Sequence, residues 1–361
     1  MNATVSQKTI LVFPATGEEA ITLVQAARAR GEKVVCASSV VDSTAEANFG
    51  PILKLPSIHE AAFEAAFINL AGHESVGVLF APVSSVYAFM RKFLPLNYPR
   101  IQLLGKSPVQ LQMDKHRTLM DRAAAYMPWV ALCSNGNSSL SQVDIAAVLR
   151  QASSIYGESN DDKLAGMMGV FARAPRGDVI EIGSLMGRSA FVMLFLARHY
   201  DIGHLLTVDP WSAAECSQDD SPEALQWVTD EWDYEVIREG FAVNLAAFGS
   251  KDNAHIRLPS SQTFAKYSTA PLATSFGGHE VAYVGKVAVI HIDGNHDYDT
   301  VSEDCDLWLT LLAPGAWLIL DDYLWAHGDG PYRKGNELLS KQADRIESTF
   351  VCGKALFVKF H

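Results

Sequence analysis

Five acidic residues stand at or near the ends of apolar runs in the second half of the sequence: Glu181, Asp209, Asp293, Asp321 and Asp322. Such runs predict buried parallel strands, and the carboxyl ends of neighbouring parallel strands meet at one edge of a sheet. We therefore expect Asp293, Asp321 and Asp322 to converge there. Three adjacent carboxylates need a cation, and oxygen ligands with room for water suit Mg²⁺, with Mn²⁺ and Ca²⁺ as alternatives. The other interpretation makes Asp321 and Asp322 solvated loop residues or helix caps.

A histidine three residues after Asp293 is the candidate general base. The segment "HIDGNHDYD" places His296 in the loop after a predicted strand, at the same edge as Asp293. Imidazole titrates near neutral pH and can take the proton of a reacting hydroxyl group. We predict His296 and Asp293 as the catalytic residues; alternatively, His296 only forms a hydrogen bond within the turn. His291 lies between two isoleucines inside the strand, so it is predicted to be a core residue.

A glycine-rich turn follows the strand that contains Glu181. In "VIEIGSLMGRS" a loop from Gly183 to Gly187 leads into a helix that begins near Arg188, which leaves backbone N–H groups free to contact a ligand. The spacing differs from the GxGxxG of dinucleotide sites, and the acidic strand residue would repel a pyrophosphate. Asp209, about 20 residues further on, can accept hydrogen bonds from both hydroxyls of a ribose. These features predict a nucleoside site without phosphate, which S-adenosylmethionine would satisfy.

Strand and helix patterns alternate in both halves of the chain. The first half has apolar strands at 9–13, 33–38 and 76–81, and the second has strands at 178–183, 204–209, 254–258, 286–293 and 315–321, with a closing hairpin at 346–351 and 355–360. Uninterrupted apolar strands of this kind are buried on both faces, which predicts parallel sheets covered by helices. We therefore predict two Rossmann-like α/β domains, the second with a parallel sheet closed by an antiparallel hairpin.

Length and composition indicate a soluble two-domain protein. The chain has 361 residues, which exceeds the size of a single hydrophobic core, and 48% of them are hydrophobic. The polar stretch "CSNGNSSLSQ" suggests a linker. We predict a first domain over 1–130, a connector over 131–142 and a second domain over 143–361.

Charge and cysteine content narrow the partners and the compartment. Residues 151–361 carry 16 Lys and Arg against 30 Asp and Glu, so nucleic acid is not an expected partner. The five cysteines are widely separated, which argues against a disulfide framework and fits a cytoplasmic protein. No apolar run is long enough to cross a membrane, and we expect neither a signal peptide nor a membrane partner.

Three motifs in order resemble the class I S-adenosylmethionine-dependent methyltransferases. They are "EIGSLMGRS", "VDPW" and the segment over 289–323 that begins "VIHIDGNHDY" and ends "LILDDY". The resemblance covers about residues 150–361 and is strongest to the branch of small-molecule and sugar O-methyltransferases and cephalosporin hydroxylase-like proteins. It implies the class I methyltransferase fold, S-adenosylmethionine as the cofactor and a small hydroxylated molecule as the acceptor.

The resemblance also implies positions for the cofactor and the metal. The methionine moiety would lie near Glu181, Gly183, Ser184 and Gly187, with Ser189 at the start of the helix beneath it; Asp209 would hold the ribose, and Trp211, Ser260 and Ser261 would lie near the adenine. Core packing is the equal alternative for Trp211. The carboxylates are similar in position to those of catechol O-methyltransferase-like enzymes, where two acidic residues and an amide bind the metal; Asp322 stands at the amide position, beside Asp293 and Asp321.

The first domain resembles the small leading domain of ATP-grasp enzymes over about 125 residues. The segment "GKSPVQLQMDKHRTLMDRAAAY" carries this likeness, but the nucleotide-binding body of those enzymes does not follow it. No catalytic residue is carried over, so a structural role or a contribution to the substrate pocket is expected.

The sequence as a whole predicts an S-adenosylmethionine-dependent, metal-assisted O-methyltransferase. The acceptor would be a hydroxyl group of a sugar or natural product, in small-molecule biosynthesis. One alternative is a non-catalytic or regulatory protein that binds S-adenosylmethionine. Another is a nicotinamide-dependent oxidoreductase, which the missing GxGxxG motif disfavours. Homo-oligomerisation is left open.

Overall fold

The chain forms two compact units, one ending at Thr118 and one beginning at Leu119. The computed structural model describes residues 8–41, 43–216, 218, 222–249 and 251–361, with the side chains of 223–226 excepted. Within this part of the chain, no helix is both long and apolar enough to cross a membrane.

Unit 1 is a five-stranded parallel sheet in the order β3-β2-β1-β4-β5. Its strands are β1 (Thr9–Val12), β2 (Val34–Ser38), β3 (Ile52–Lys54), β4 (Val76–Phe80) and β5 (Gln102–Leu103), and its helices are α1 (Glu18–Ala29), α2 (Ser43–Phe49), α3 (Phe63–His73) and α4 (Ser84–Asn97). This doubly wound order confirms the predicted Rossmann-like fold. The sequence did not reveal β3 and β5, which have only three and two residues.

The division between the units lies inside α5 (Pro108–Cys133) and not at the predicted connector over 131–142. The end of this helix belongs to unit 2, because Ala123, Val130 and Cys133 are buried in the core of that unit. The polar stretch after α5 is the loop to α6 (Gln142–Ser154). Ser141 caps α6 by accepting a hydrogen bond from the backbone N–H of Asp144 at 3.2 Å.

Unit 2 is built on a seven-stranded sheet in the order β13-β14-β12-β11-β6-β7-β8. The strands are β6 (Asp178–Ile182), β7 (Leu205–Val208), β8 (Asn253–Ile256), β11 (Val287–Ile292), β12 (Leu312–Leu320), β13 (Ile346–Cys352) and β14 (Ala355–Phe360), and a separate antiparallel pair comprises β9 (Leu272–Thr274) and β10 (Glu280–Ala282). Strand β14 is antiparallel to both β12 and β13, whereas β12, β11, β6, β7 and β8 run parallel. This confirms the predicted class I methyltransferase fold.

Helices cover both faces of this sheet. They are α6, α7 (Asp161–Phe171), α8 (Arg188–His199), α9 (Ala213–Cys216), α10 (Glu223–Asp230), α11 (Tyr234–Ala246), α12 (Ser260–Thr269), α13 (Tyr298–Trp308) and α14 (Gly330–Lys341). Successive strand side chains point to opposite faces, so Val179 packs among α7 and α8 while Ile180 packs among α12 and α13. Burial on both faces explains why the strands read as continuous apolar runs.

Candidate active site

The loop after β6 lies directly against the end of β11. Gly183 has φ 80°, and a Cβ atom there would lie 2.0 Å from the backbone oxygen of Asp293. Gly187, with φ 89°, precedes α8, and a Cβ atom there would lie 2.6 Å from a methyl carbon of Leu245. Only glycine fits at these two positions, because the backbone has a positive φ and a Cβ atom would collide with its neighbours, as the glycine-rich motif predicts.

Gly183→Ala is expected to lower the free energy of unfolding by more than an alanine substitution at a glycine where backbone strain is the only cost. A left-handed alanine costs about 1–2 kcal/mol, and the contact with the Asp293 backbone adds to this cost. Gly278→Ala is the matched control, because Gly278 has φ 75° and open space around its Cα. Urea unfolding of both variants measures the difference; equal losses would show that the predicted crowding at Gly183 is absent.

Asp209, at the end of β7, holds this loop in place. One carboxylate oxygen accepts hydrogen bonds from the backbone N–H groups of Ser184 and Leu185 at 2.8 and 3.0 Å, and the other accepts one from Trp211 at 2.8 Å. Burial raises the pKa of Asp209 against the opposing effect of these bonds. The oxygen that faces Trp211 retains a lone pair for a ligand hydroxyl group.

The predicted cofactor residues fall into two groups. Gly183, Ser184, Ser189, Asp209, Trp211, Ser260 and Ser261 line one cavity of about 710 Å³. Glu181 does not line it: the side chain is fully buried beneath the loop, where it accepts a hydrogen bond from the Ser184 hydroxyl at 2.9 Å. Gly187 likewise lies behind the cavity wall. Glu181 thus supports the loop from below the cavity wall.

Trp211 and Ser260 have structural partners as well as positions on the cavity wall. The Trp211 indole N–H donates to the Leu185 carbonyl at 3.0 Å, and its ring packs against Phe241 with centroids 5.2 Å apart. Ser260, the first residue of α12, accepts a hydrogen bond from the indole of Trp308 at 2.8 Å. Core packing and cavity lining are therefore combined in Trp211.

Arg188 is a structural residue, although it begins the helix at the cavity. Its guanidinium donates to the backbone oxygens of Ala152 and Ile155 at 2.9 Å each and also to those of Gly157 and Ser159. These hydrogen bonds hold the segment between α6 and α7 in place.

The ends of β11 and β12 place the three predicted carboxylates close together, but their side chains point in two different directions. The N–H of Asp293 donates to Ile182 at 2.8 Å and that of Asp321 to Ile292 at 3.0 Å, which fixes the adjacent strand ends. Asp293 and Asp322 line the cavity, whereas Asp321 is buried behind it. Both residues follow the end of β12, and Asp322 has φ 50°, which turns its side chain to the cavity while that of Asp321 stays buried.

Asp321 pairs with a lysine that sequence analysis missed. The Nζ atom of Lys163 contacts a carboxylate oxygen of Asp321 and lies 3.3 Å from Asp293 Oδ2. Lys163 is 2% exposed and belongs to the first turn of α7. One feature of the sequence indicates that Lys163 is buried. In "DDKLAGMMGVF" the lysine is followed by an apolar run, and a helix that is apolar on all sides is buried.

His291 is a buried core histidine, as predicted, and it also joins the charged groups. Its Nδ1 lies 3.2 Å from Glu181 Oε1, and its Nε2 lies 3.6 Å from Asp293 Oδ2. Burial lowers the pKa of His291, but the neighbouring carboxylates of Asp321 and Glu181 outweigh burial and raise the pKa to about 9.

His296 lies between the two carboxylates that line the cavity. Its Nε2 is 3.3 Å from Asp322 Oδ2 and 3.9 Å from Asp293 Oδ1, and its ring lies 4.6 Å from that of Trp325. Burial lowers the pKa of His296, but the neighbouring carboxylates Asp293 and Asp322 outweigh it and raise the pKa. Lys354 completes the group with an ion pair to Asp322 at 2.6 Å.

The donor sets decide which residues fit a metal ion. Among the described residues, two groups have ligand atoms within 4.8 Å of one another: His291 with Asp293 and Asp321, and Asp293 with His296 and Asp322. The predicted set of Asp293, Asp321 and Asp322 is not one of them, because Asp321 turns away towards Lys163. The second group faces the cavity. It fits a divalent ion through two carboxylates and an imidazole, a donor set that suits Mn²⁺ better than Mg²⁺.

Asp304 of α13 is a buried carboxyl group on the same cavity wall. It is 3% exposed, and burial raises its pKa to about 7. The pKa of an aspartic acid in the unfolded chain is about 3.9, so the folded state binds this proton more tightly than the unfolded state does. The free energy of unfolding therefore falls progressively as pH rises from about 4 to 7.

Asp304→Asn should therefore stabilise unit 2 more at pH 8 than at pH 4.5, by about 1–3 kcal/mol. Thermal unfolding at the two pH values measures the difference. Glu303→Gln is the control, because Glu303 is the exposed neighbour on the same helix. An equal effect of Asp304→Asn at both pH values would contradict the shifted pKa.

The comparisons with known proteins agree with the sheet order and the glycine loop. Residues 180–323 match a family model described as a methyltransferase domain. Unit 2 contains a methyltransferase domain. The match covers less than half of the chain but includes the glycine loop, Asp209 and all three carboxylates after β11 and β12. The match agrees with the class I sheet order of unit 2. A search of curated proteins gave no sequence match.

Several solved methyltransferases are similar to this enzyme in part. The O-methyltransferase NovP has 14% identity and a TM-score of 0.39, covering 61% of this chain and 81% of its own. The calicheamicin methyltransferase CalS11 has 11% identity and a TM-score of 0.38, covering 71% and 94%. The Podospora anserina methyltransferase PaMTH1, bound to S-adenosylhomocysteine, has 15% identity and a TM-score of 0.38, covering 67% and 94%. These weak likenesses add nothing to the family match.

Proposed function

We propose that this methyltransferase transfers the methyl group of S-adenosylmethionine to a hydroxyl oxygen of a small molecule, with the assistance of a divalent ion. The observation that supports it is one cavity of about 710 Å³, lined by the glycine loop, by Asp209 and by Asp293, His296 and Asp322. A volume of this size is in the range of small-molecule sites. The cofactor side and the proton-accepting side thus face the same space.

The cofactor would occupy the side of the cavity formed by β6 and β7. The remaining lone pair of Asp209 would accept a ribose hydroxyl, and Ser184 and Ser189 would lie near the methionine moiety. Trp211, Ser260 and Ser261 would surround the adenine. The glycine loop departs from the GxGxxG spacing of dinucleotide sites, which supports S-adenosylmethionine over a nicotinamide dinucleotide.

The acceptor hydroxyl would lie beside Asp293, His296 and Asp322. In the transfer step, the oxygen–methyl bond forms as the sulfonium–methyl bond breaks, and the sulfonium becomes the neutral thioether of S-adenosylhomocysteine. In the ion-free site, the hydroxyl proton passes to the imidazole of His296. The two carboxylates beside His296 orient the ring and stabilise the imidazolium that results.

A divalent ion would be held by Asp293, His296 and Asp322. When bound, it would lower the pKa of the acceptor hydroxyl and favour the developing negative charge on oxygen. His296 is then a ligand, whereas in the ion-free site it is the base. Removing the ion with EDTA distinguishes the two roles: loss of turnover that Mn²⁺ or Mg²⁺ restores supports the ligand role, and unchanged turnover supports the base.

A screen of hydroxylated small molecules tests the proposed reaction. The full chain is incubated with S-adenosylmethionine carrying an isotopically labelled methyl group and with sugars, phenols and other natural-product alcohols. Mass spectrometry and fragmentation then locate the label. A methyl ether as the product supports the proposal, and transfer only to nitrogen, sulfur or carbon acceptors would contradict it.

A further inference from the structure

Two carboxylates and an imidazole at the ends of β11 and β12 surround the positive charge of a lysine. His291, Asp293 and Asp321 have ligand atoms within 4.8 Å of one another, an arrangement that could hold a metal ion. The ammonium group of Lys163 contacts Asp321 and lies 3.3 Å from Asp293 Oδ2. The position between these two carboxylates therefore already has a positive charge.

A buried nitrogen of His291 points to the same place. His291 is fully buried, and its Nε2 atom makes no hydrogen bond with any described residue. It lies 3.6 Å from Asp293 Oδ2 and 3.8 Å from Asp321 Oδ2, the two oxygens that flank the lysine. Three potential ligands thus converge on a space that the lysine side chain enters.

The start of α7 fixes the lysine in this position. Asn160 caps the helix by accepting a hydrogen bond from the Lys163 N–H at 2.9 Å. The tip of the β13–β14 hairpin packs against the same turn, since a Cβ atom at Gly353 would lie 2.8 Å from the Lys163 backbone nitrogen. The side chain then extends from a rigid, buried turn to the strand ends.

Lys163 offsets part of the negative charge of this buried group without a metal ion. Glu181, Asp293 and Asp321 contribute three carboxylates, and Lys163 supplies one permanent positive charge beside the imidazole of His291. Burying an uncompensated charge costs several kcal/mol, so removal of the lysine leaves a strong demand for another cation. Asp293 keeps Oδ1 for the cavity side, because Lys163 and His291 face Oδ2.

We propose that Lys163 is a tethered cation that occupies a divalent-ion position formed by His291, Asp293 and Asp321. It is a positioning residue: it holds Oδ2 of Asp293 away from the cavity and restricts the chain to one metal position, the group of Asp293, His296 and Asp322. The inference rests on the proposed function only for that second group, since Lys163, His291 and Asp321 do not line the cavity.

Mn²⁺ binding to the full-length protein tests the proposal. Equilibrium dialysis with electron paramagnetic resonance counts the ions bound by the unaltered chain, by Lys163→Met and by Lys163→Arg. We expect Lys163→Met to bind one more Mn²⁺ than the unaltered chain, and Lys163→Arg, which keeps the charge, to bind the same number. Adding Asp321→Asn to Lys163→Met should remove the extra ion. A folded Lys163→Met protein without the extra ion would overturn the proposal.

Thermal unfolding provides a second readout if Lys163→Met folds poorly. Because the missing charge destabilises the buried carboxylates, millimolar Mn²⁺ should raise the melting temperature of Lys163→Met by several degrees more than that of the unaltered chain. Lys266→Met, at an exposed position of α12, is the control. An equal Mn²⁺ effect on all three proteins contradicts the proposal. If the unaltered chain binds no Mn²⁺ but Lys163→Met binds one, the metal-assisted mechanism fails while the lysine assignment stands.

Discussion

Replacing His296 with alanine is expected to lower kcat by about 10²- to 10⁴-fold, the usual contribution of a positioned acid–base group. Its imidazole Nε2 lies 3.3 Å from Asp322 Oδ2 and 3.9 Å from Asp293 Oδ1 on the cavity wall. Two carboxylates therefore flank the ring and can orient it. The affinity for S-adenosylmethionine should change little, because the cofactor residues lie on β6 and β7. Steady-state kinetics with any acceptor found by the screen, together with cofactor titration, measures both.

His199→Ala is the control for this variant. His199 lies in the last turn of α8, where its ring nitrogen contacts the Ser139 hydroxyl at 3.0 Å, and it does not line the cavity. It should keep nearly full activity. The assignment of His296 would be contradicted if His296→Ala turned over at the rate of His199→Ala, with or without added Mn²⁺.

Asp209→Ala is expected to weaken S-adenosylmethionine binding by about 1–3 kcal/mol, or roughly 5- to 150-fold. The substitution removes the proposed ribose acceptor and also leaves the N–H groups of Ser184, Leu185 and Trp211 without their partner. The larger part of the loss should come from the loop, since the glycine turn shapes the methionine side of the cavity. Isothermal titration calorimetry measures the affinity.

Two further variants separate the roles of Asp209. Asp209→Asn keeps the shape and one acceptor oxygen, so it should lose less affinity than Asp209→Ala. Glu215→Gln changes an exposed carboxylate on the same cavity wall and should have almost no effect. Unchanged affinity in Asp209→Ala would remove this residue from the cofactor site.

The sequence was sufficient to predict the positions of strand ends but not the directions of side chains. A buried parallel strand is recognisable as an apolar run, and the acidic residue after it must lie at the carboxyl edge of the sheet. Asp293 and Asp209 are therefore where the pattern places them. Asp321 and Asp322 are adjacent, and only the structure shows that one turns into the protein and the other, with φ 50°, faces the cavity.

Long-range partners are the other feature that the sequence did not reveal. Lys163 pairs with Asp293 and Asp321, which follow it by 130 and 158 positions, and its local sequence does not indicate these partners. The neighbouring "ESNDD" run suggests a solvated surface and is mostly exposed, but Lys163, which directly follows it, is buried. Likewise, the polar stretch after α5 marks a loop, but the unit boundary depends on which core the helix residues enter.

Binding of S-adenosylmethionine to the purified full chain is the most direct test of the central claim. Isothermal titration calorimetry would be performed with S-adenosylmethionine and with S-adenosylhomocysteine, with Mn²⁺ or Mg²⁺ and after EDTA treatment. The account predicts one molecule bound per chain, at micromolar affinity, with a marked loss in Asp209→Ala. Absence of binding under all these conditions, in protein shown to be folded, would contradict the assignment of the cavity as the cofactor site.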